Sequence, residues 1–156
     1  MAIVYLGIGS NIGDATKNCE SAVQKIKFTP NIQIIKSSSF YKTKHVGGPA
    51  QEDYINGVIK IKTDLSPESC LVSFKALEKE MGRIPAPRNY PRVIDIDILF
   101  YDDIIFNNEN LVIPHPLAHE RLFILKGLNE IEPYFVHPVI KKTISKLYAE
   151  ALVTKL

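Results

Sequence analysis

An α+β fold, with one antiparallel sheet carrying its helices on one face, is what this sequence predicts, and three observations carry the prediction. Short runs rich in Val, Ile, Tyr and Phe recur with the two-residue period of strands. Stretches with helical spacing separate the first run from the second and the third from the fourth. The resulting order, strand-helix-strand-strand-helix-strand, is the split βαβ arrangement of the ferredoxin-like fold, a βαββαβ core.

Residues 3–8 form the first predicted strand, stopped by a glycine-rich turn at Gly9-Ser10-Asn11. Asp14 is placed to cap a helix whose apolar face is Ala15, Cys19, Ala22, Val23 and Ile26. Residues 31–41 read as a second strand. In the third, residues 54–63, the period puts Ile55, Ile59 and Ile61 on the core face and Tyr54, Asn56 and Val58 on the other. Ser66-Pro67 starts a second helix with the stripe Leu71, Phe74, Leu77 and Met81, and Gly82 ends it. Residues 93–101 are the fourth strand. The sheet face away from the helices is expected to stay available. A C-terminal hairpin of residues 104–106 and 111–113 follows, then helices over 117–130 and 141–152. Two long loops, 42–53 and 84–91, are expected to be binding elements or lids.

A chain of 156 residues suits one domain with one core, and 46% hydrophobic with 23% charged residues is ordinary globular composition. A net charge of +2 is too small to argue for nucleic acid or membrane as a partner, so any basic site must be local. Cys19 and Cys70 lack metal-ligand spacing and read as buried thiols. The opening residues do not form a signal peptide and no run is long enough to span a bilayer, so a cytoplasmic setting is expected.

The chemistry concentrates in Arg92-Val93-Ile94-Asp95-Ile96-Asp97-Ile98. In a strand the isoleucines face one way and both aspartates the other, with their Cα atoms roughly 6–7 Å apart. Two like charges on one apolar strand cost stability unless a cation neutralises them, which points to a metal, and hard oxygen donors suit Mg²⁺. A half-exposed strand with an acidic solvent face is the bland alternative, and for a bare Asp-x-Asp it is the commoner one. Arg83, Arg88, Arg92 and Arg121 shift the balance, because guanidinium groups match phosphate oxygens and a metal with arginines suits polyphosphate. His115, fixed between prolines, is either a phosphate donor or a structural turn residue; His45, His119 and His137 read as surface or structural. The run from Gly7 to Gly13 fits neither the P-loop nor the dinucleotide fingerprint and is read as a close-approach turn. Tyr54 and Asn56 could meet a heterocycle, with Phe123 stacking from another side, or be plain sheet-surface residues. An RNA-binding module on the open sheet face is a rival reading, disfavoured by two aspartates there. A kinase moving a single phosphoryl group, and so releasing ADP, is another.

Together these pieces resemble the 6-hydroxymethyl-7,8-dihydropterin pyrophosphokinase family along nearly the whole chain. The resemblance rests on Gly9-Ser10-Asn11 with Gly13, Ser39 to Thr43, Tyr54-Ile55-Asn56, Gly82-Arg83, Pro91-Arg92-Val93-Ile94-Asp95-Ile96-Asp97-Ile98, Pro114-His115-Pro116 and Glu120-Arg121-Leu122-Phe123. It implies one pyrophosphokinase domain over residues 1–156, a monomer that moves pyrophosphate from ATP to the pterin hydroxymethyl group, releasing AMP in folate biosynthesis. It also implies that Asp95 and Asp97 hold two Mg²⁺ ions and act in catalysis with Arg83 and Arg92. Glu78, Arg83, Arg92, His115 and Arg121 match ATP-binding positions, and Thr43, Val46, Tyr54, Asn56 and Phe123 match pterin positions. Asn89 stands where many members carry tryptophan, with Tyr90 beside it.

Overall fold

The computed structural model describes residues 1–44 and 47–154. Strand β1 (Ala2–Ser10) lies in the middle of the main sheet, antiparallel to both β4 (Tyr54–Thr63) and β5 (Asp95–Tyr101). β2 (Ile32–Ser37) and β3 (Tyr41–Thr43) both pair with β4, giving the order β2-β4-β1-β5 with β3 continuing the β2 edge. Helices α1 (Ala15–Lys27) and α2 (Pro67–Glu80) cover one face. The caps are as predicted: Asp14 accepts from the Lys17 N–H, Ser66 accepts from the Ser69 N–H, and Pro67 sits in the first turn. Val4, Leu6, Ile8, Ile59, Ile61, Ile96 and Ile98 meet Cys19, Ala22, Ile26, Cys70 and Phe74 in the first core, so both cysteines are buried thiols.

The structure corrects the sequence reading in five places. The second strand is split, because the Ser38 hydroxyl accepts the Val58 N–H while the Ser38 N–H donates to the Val58 carbonyl. An extra residue then intervenes before Tyr41 pairs with Asn56, and the Phe40 ring lies over Gly57, where a Cβ would come within 2.8 Å of it. The fully buried positions of α2 are Cys70, Phe74 and Glu78, a stripe that includes a carboxylate, with Leu71, Leu77 and Met81 only partly buried. Gly7 and Gly9 belong to β1 and not to a turn; the turn comes after Ser10, with Gly13 at φ +68°.

The helix expected from residue 117 begins later. Residues 116–120 form separate turns, and α3 spans Leu122–Ile131. Finally, the other sheet face is only partly open. α3 and α4 (Ile144–Thr154) pack Ile124, Leu125, Leu128, Ile144 and Leu147 onto Tyr5, Val58, Leu99 and Phe100 as a second core. A register shift between Tyr5 and Leu6 turns both Leu99 and Phe100 toward that core. The small hairpin β6 (Phe106–Asn107) and β7 (Val112–Ile113) packs beside β5. Among the described residues no helix is long and apolar enough to cross a membrane.

Candidate active site

The part of the sheet that α3 and α4 leave uncovered is the floor of a cavity of about 440 Å³. Strand register builds it. Asn56 pairs with Gly9 and Gly9 with Asp95; two residues along each strand, on the same face, Val58 pairs with Gly7 and Gly7 with Asp97. The middle of each row is therefore a glycine, and the floor is bare backbone between the carboxylates and Asn56. A Cβ at Gly9 would stand 2.5 Å from Asn56 Oδ1, so any larger residue would displace that amide. The Asn56 amide nitrogen donates to Thr43 Oγ1, which holds the amide with its oxygen over Gly9.

Asp95 and Asp97 share the cavity face of β5 as the two-residue period predicts, both lining it. Burial raises the Asp97 carboxyl above the ordinary carboxylate range, the Asp95 charge raises it further and Glu78 further still, while Lys75 and Arg121 oppose the rise. Arg83 Nη1 is buried at 2.7 Å from Glu78 Oε2 and 2.9 Å from Asp95 Oδ1, at ion-pair distance from both yet without a hydrogen-bond angle to either. Behind it, Glu78 Oε2 accepts the Ile96 N–H at 2.8 Å. Glu78 is 2% exposed and does not line the cavity, so the structure places it behind the site and not at its surface.

The remaining cations arrive from three segments. Arg88 and Arg92 come from the 84–91 loop and its end, Arg121 from the residue preceding α3, and Lys44 from the other long loop. The Arg92 guanidinium donates to its own loop, Nη2 to Pro87 O at 3.1 Å and Nη1 to Tyr90 O at 3.4 Å. Both predicted loops reach the cavity and are tied together there. Gln51 Nε2 donates to Asn89 O at 2.8 Å, Asn11 Nδ2 donates to Gln51 Oε1 at 2.7 Å, and the Arg92 N–H donates to Asn11 Oδ1 at 2.8 Å. Gly48, at φ +74°, lies so close that a Cβ would stand 2.0 Å from Asn89 O.

His115 is hung on the bulge in β5: its N–H donates to Leu99 O at 2.9 Å. Its Nδ1 accepts the Leu117 N–H at 3.1 Å, so the neutral ring carries its proton on Nε2. Burial lowers its pKa to about 4, with Arg121 and then Arg88 adding to the effect. Tyr54 lies among the charged groups, burial raising its phenol first and Asp95 next. The Arg121 guanidinium is 5.9 Å from the Phe123 ring centroid.

Of the residues singled out from the sequence, Arg83, Arg92, Asp95, Asp97, His115, Arg121, Tyr54, Asn56 and Phe123 line this one cavity. Glu78 and Thr43 stand behind it and touch Arg83 and Asn56, which do. Val46, like His45, lies outside the described residues. His137 is buried, its Nδ1 accepting from the Val139 and Ile140 N–H groups, and is structural. His119 faces Glu120 away from this cavity. The inter-loop contacts of Asn11, Gln51 and Asn89 were not legible, since single polar residues in loops carry no periodic signal.

Residues 5–133 match the family model described as 7,8-dihydro-6-hydroxymethylpterin-pyrophosphokinase (HPPK). The chain is 39% identical over 150 residues to the 2-amino-4-hydroxy-6-hydroxymethyldihydropteridine pyrophosphokinase of Aquifex aeolicus, covering 96% of this chain and 92% of that one. The enzyme of the same name from Haemophilus influenzae is 38% identical over 138 residues, 88% of this chain and 86% of its own. The folic acid synthesis protein fol1 of Pneumocystis carinii is 39% identical over 145 residues, but these make up 20% of that longer protein. Among solved structures, Plasmodium falciparum HPPK-DHPS with pteroate matches at TM-score 0.77 and 19% identity, over 97% of this chain and 42% of that one, a likeness of fold.

Proposed function

The chain belongs to the 7,8-dihydro-6-hydroxymethylpterin-pyrophosphokinase family and is a diphosphotransferase, and on that premise we propose that it transfers pyrophosphate from ATP to the hydroxymethyl group of 6-hydroxymethyl-7,8-dihydropterin in a Mg²⁺-dependent reaction that releases AMP. The observation that carries this reading is the Asp95 and Asp97 pair on a glycine floor, facing a cavity ringed by Arg83, Arg88, Arg92, Arg121 and neutral His115.

The donor set fits the metal. Asp97 is raised by burial and by its neighbours' negative charge, so a cation here relieves both. Among the described residues no third His, Cys, Asp or Glu joins the pair, which suits Mg²⁺, an ion that completes its shell with water and phosphate oxygens. Asp95 and Asp97 would hold it, two ions by the family resemblance; bound there it would lower the charge on the phosphates and favour loss of the hydroxyl proton.

The protein's own part is positioning and electrostatics. Asn56, Tyr54 and Phe123 would hold the pterin at one end, with the Asn56 amide oxygen fixed over Gly9 by its bond to Thr43. The arginines and the His115 Nε2–H would bind the phosphates from the other side. The hydroxymethyl oxygen then attacks the β-phosphorus in line and gives up its proton to an aspartate or solvent, the bond from that phosphorus to the α,β-bridging oxygen breaks, and its electron pair leaves on AMP. Arg92 would exchange loop carbonyls for phosphate oxygens, which frees the 84–91 loop to close. A monomer acting in the cytoplasm on these two small molecules is the simplest setting for that chemistry.

The test is incubation with ATP, Mg²⁺ and the pterin, with nucleotides separated by chromatography. AMP should form only when pterin is present; ADP would mean single phosphoryl transfer and overturn the reading. Asp97→Ala should lower turnover by roughly a thousandfold or more. Near-normal turnover in that variant with Mg²⁺ would remove the metal from this strand.

A further inference from the structure

We propose that Tyr41 is a positioning residue for the pterin: its hydroxyl, bonded to the carbonyl of Phe123, fixes the first turn of α3 and with it the ring that Phe123 presents to the cavity. The inference rests on the reading of Phe123 as a pterin contact, made above.

Tyr41 opens β3 in the same row as Asn56, Gly9 and Asp95, so it is in register with the floor of the site. Its ring crosses to α3 and its hydroxyl donates to Phe123 O in that helix's first turn. The bond ties that turn to the sheet through a carbonyl and does not cap its free N–H groups; the N-cap residue, Arg121, makes no side-chain capping bond, and its guanidinium lines the cavity. One helical turn further on, Gly127 makes room for the phenol: a Cβ there would stand 3.1 Å from the Tyr41 hydroxyl and 2.7 Å from Val58 Cγ2. Lys126 Nζ covers the ring at 4.4 Å from its centroid. Burial first, and the nearby Glu130 charge second, raise the Tyr41 phenol, so it keeps its proton and stays a donor throughout the working pH range. The far end of α3 has its own tether, Ser39 Oγ to Glu130 Oε1 at 2.7 Å, so docking of the helix as a whole and setting of its first turn are separable.

Tyr41→Phe removes one oxygen and keeps the packing. KM for the pterin should rise about tenfold, while KM for ATP and kcat at saturating pterin stay within about twofold. Phe123→Ala should raise the pterin KM at least as much, and the double variant should be no worse than Phe123→Ala, since Tyr41 acts through that ring. Glu130→Ala, which cuts only the far tether, should lower Tm and leave the pterin KM unchanged. An unchanged pterin KM in Tyr41→Phe beside a raised one in Phe123→Ala would overturn the proposal, as would effects that multiply in the double variant or an equal rise in Glu130→Ala. If Phe123→Ala itself leaves pterin binding intact, the assignment of Phe123 fails first and takes the proposal with it. Should Tyr41→Phe not fold, amide exchange in the unaltered protein decides: the first turn of α3 should be protected before pterin is added, and fast exchange there would overturn the proposal.

Discussion

His115 is held neutral by its surroundings, and this has a measurable consequence for stability. Its Nδ1 is occupied by the Leu117 N–H, its ring is buried, and Arg121 and Arg88 repel a second proton, so its pKa falls from the usual 6.5 to about 4. A histidine depressed in the folded state contributes stability that is fully present above the unfolded value and is lost as pH falls toward the folded one. Urea denaturation of the protein and of His115→Gln should therefore diverge with pH. From pH 7 to pH 4.5 the original protein should lose stability relative to the variant, with most of the change between 6.5 and 4.5. A constant difference over that window would mean that the ring takes up its proton as readily in the fold as in the unfolded chain. Neutral histidine also suits the proposed site, since the Nε2–H donates to phosphate without adding a charge that must be compensated when the cavity is empty.

Glu78 illustrates what an element contributes that its residues do not reveal singly. It occupies the buried line of α2 with Cys70 and Phe74, where a carboxylate is tolerated because the Ile96 N–H and Arg83 meet it, with Lys75 Nζ at 3.4 Å. Through these contacts α2 joins the midpoint of the Asp95-Ile96-Asp97 strand to the arginine that faces Asp95. Glu78→Ala leaves the Ile96 N–H without its acceptor and Arg83 with one fewer carboxylate, and should cost about 3 kcal/mol in urea denaturation, lowering the affinity for nucleotide as Arg83 relaxes. A loss under about 0.5 kcal/mol would show that Arg83 and Asp95 suffice alone. At this scale the sequence was readable where a period ran unbroken: the alternation of Ile and Asp in β5, the capping residues Asp14 and Ser66. It was unreadable where a side chain replaced a backbone partner, as Ser38 does in breaking the second strand, or where a charge sat in an apolar stripe, as Glu78 does. The late start of α3 belongs to the same class, because five residues of turn carry the same apolar spacing as a helix.

Across the whole molecule, charge is concentrated at one end of one sheet face. Among the described residues the cavity gathers five cations, Lys44, Arg83, Arg88, Arg92 and Arg121, against the carboxylates of Asp95 and Asp97, an excess of three where the entire chain carries +2. The sequence disclosed most of these residues but not their convergence, which follows from the split βαβ topology setting β1 between β4 and β5. Nor did it disclose that α3 and α4 pack over the rest of that face. Such a cavity should take a compact polyanion together with a divalent cation, because without the cation the phosphates meet two carboxylates. A non-hydrolysable ATP analogue with Mg²⁺, at about a hundred times its Kd, should raise Tm by roughly 5 to 10 °C. In EDTA most of that shift should vanish, and in Asp97→Asn it should be small even with Mg²⁺. A single-stranded oligonucleotide at equal phosphate concentration should move Tm by less than about 1 °C. If the oligonucleotide produced the larger shift, the cations would be serving a nucleic-acid backbone and the two aspartates would need another explanation.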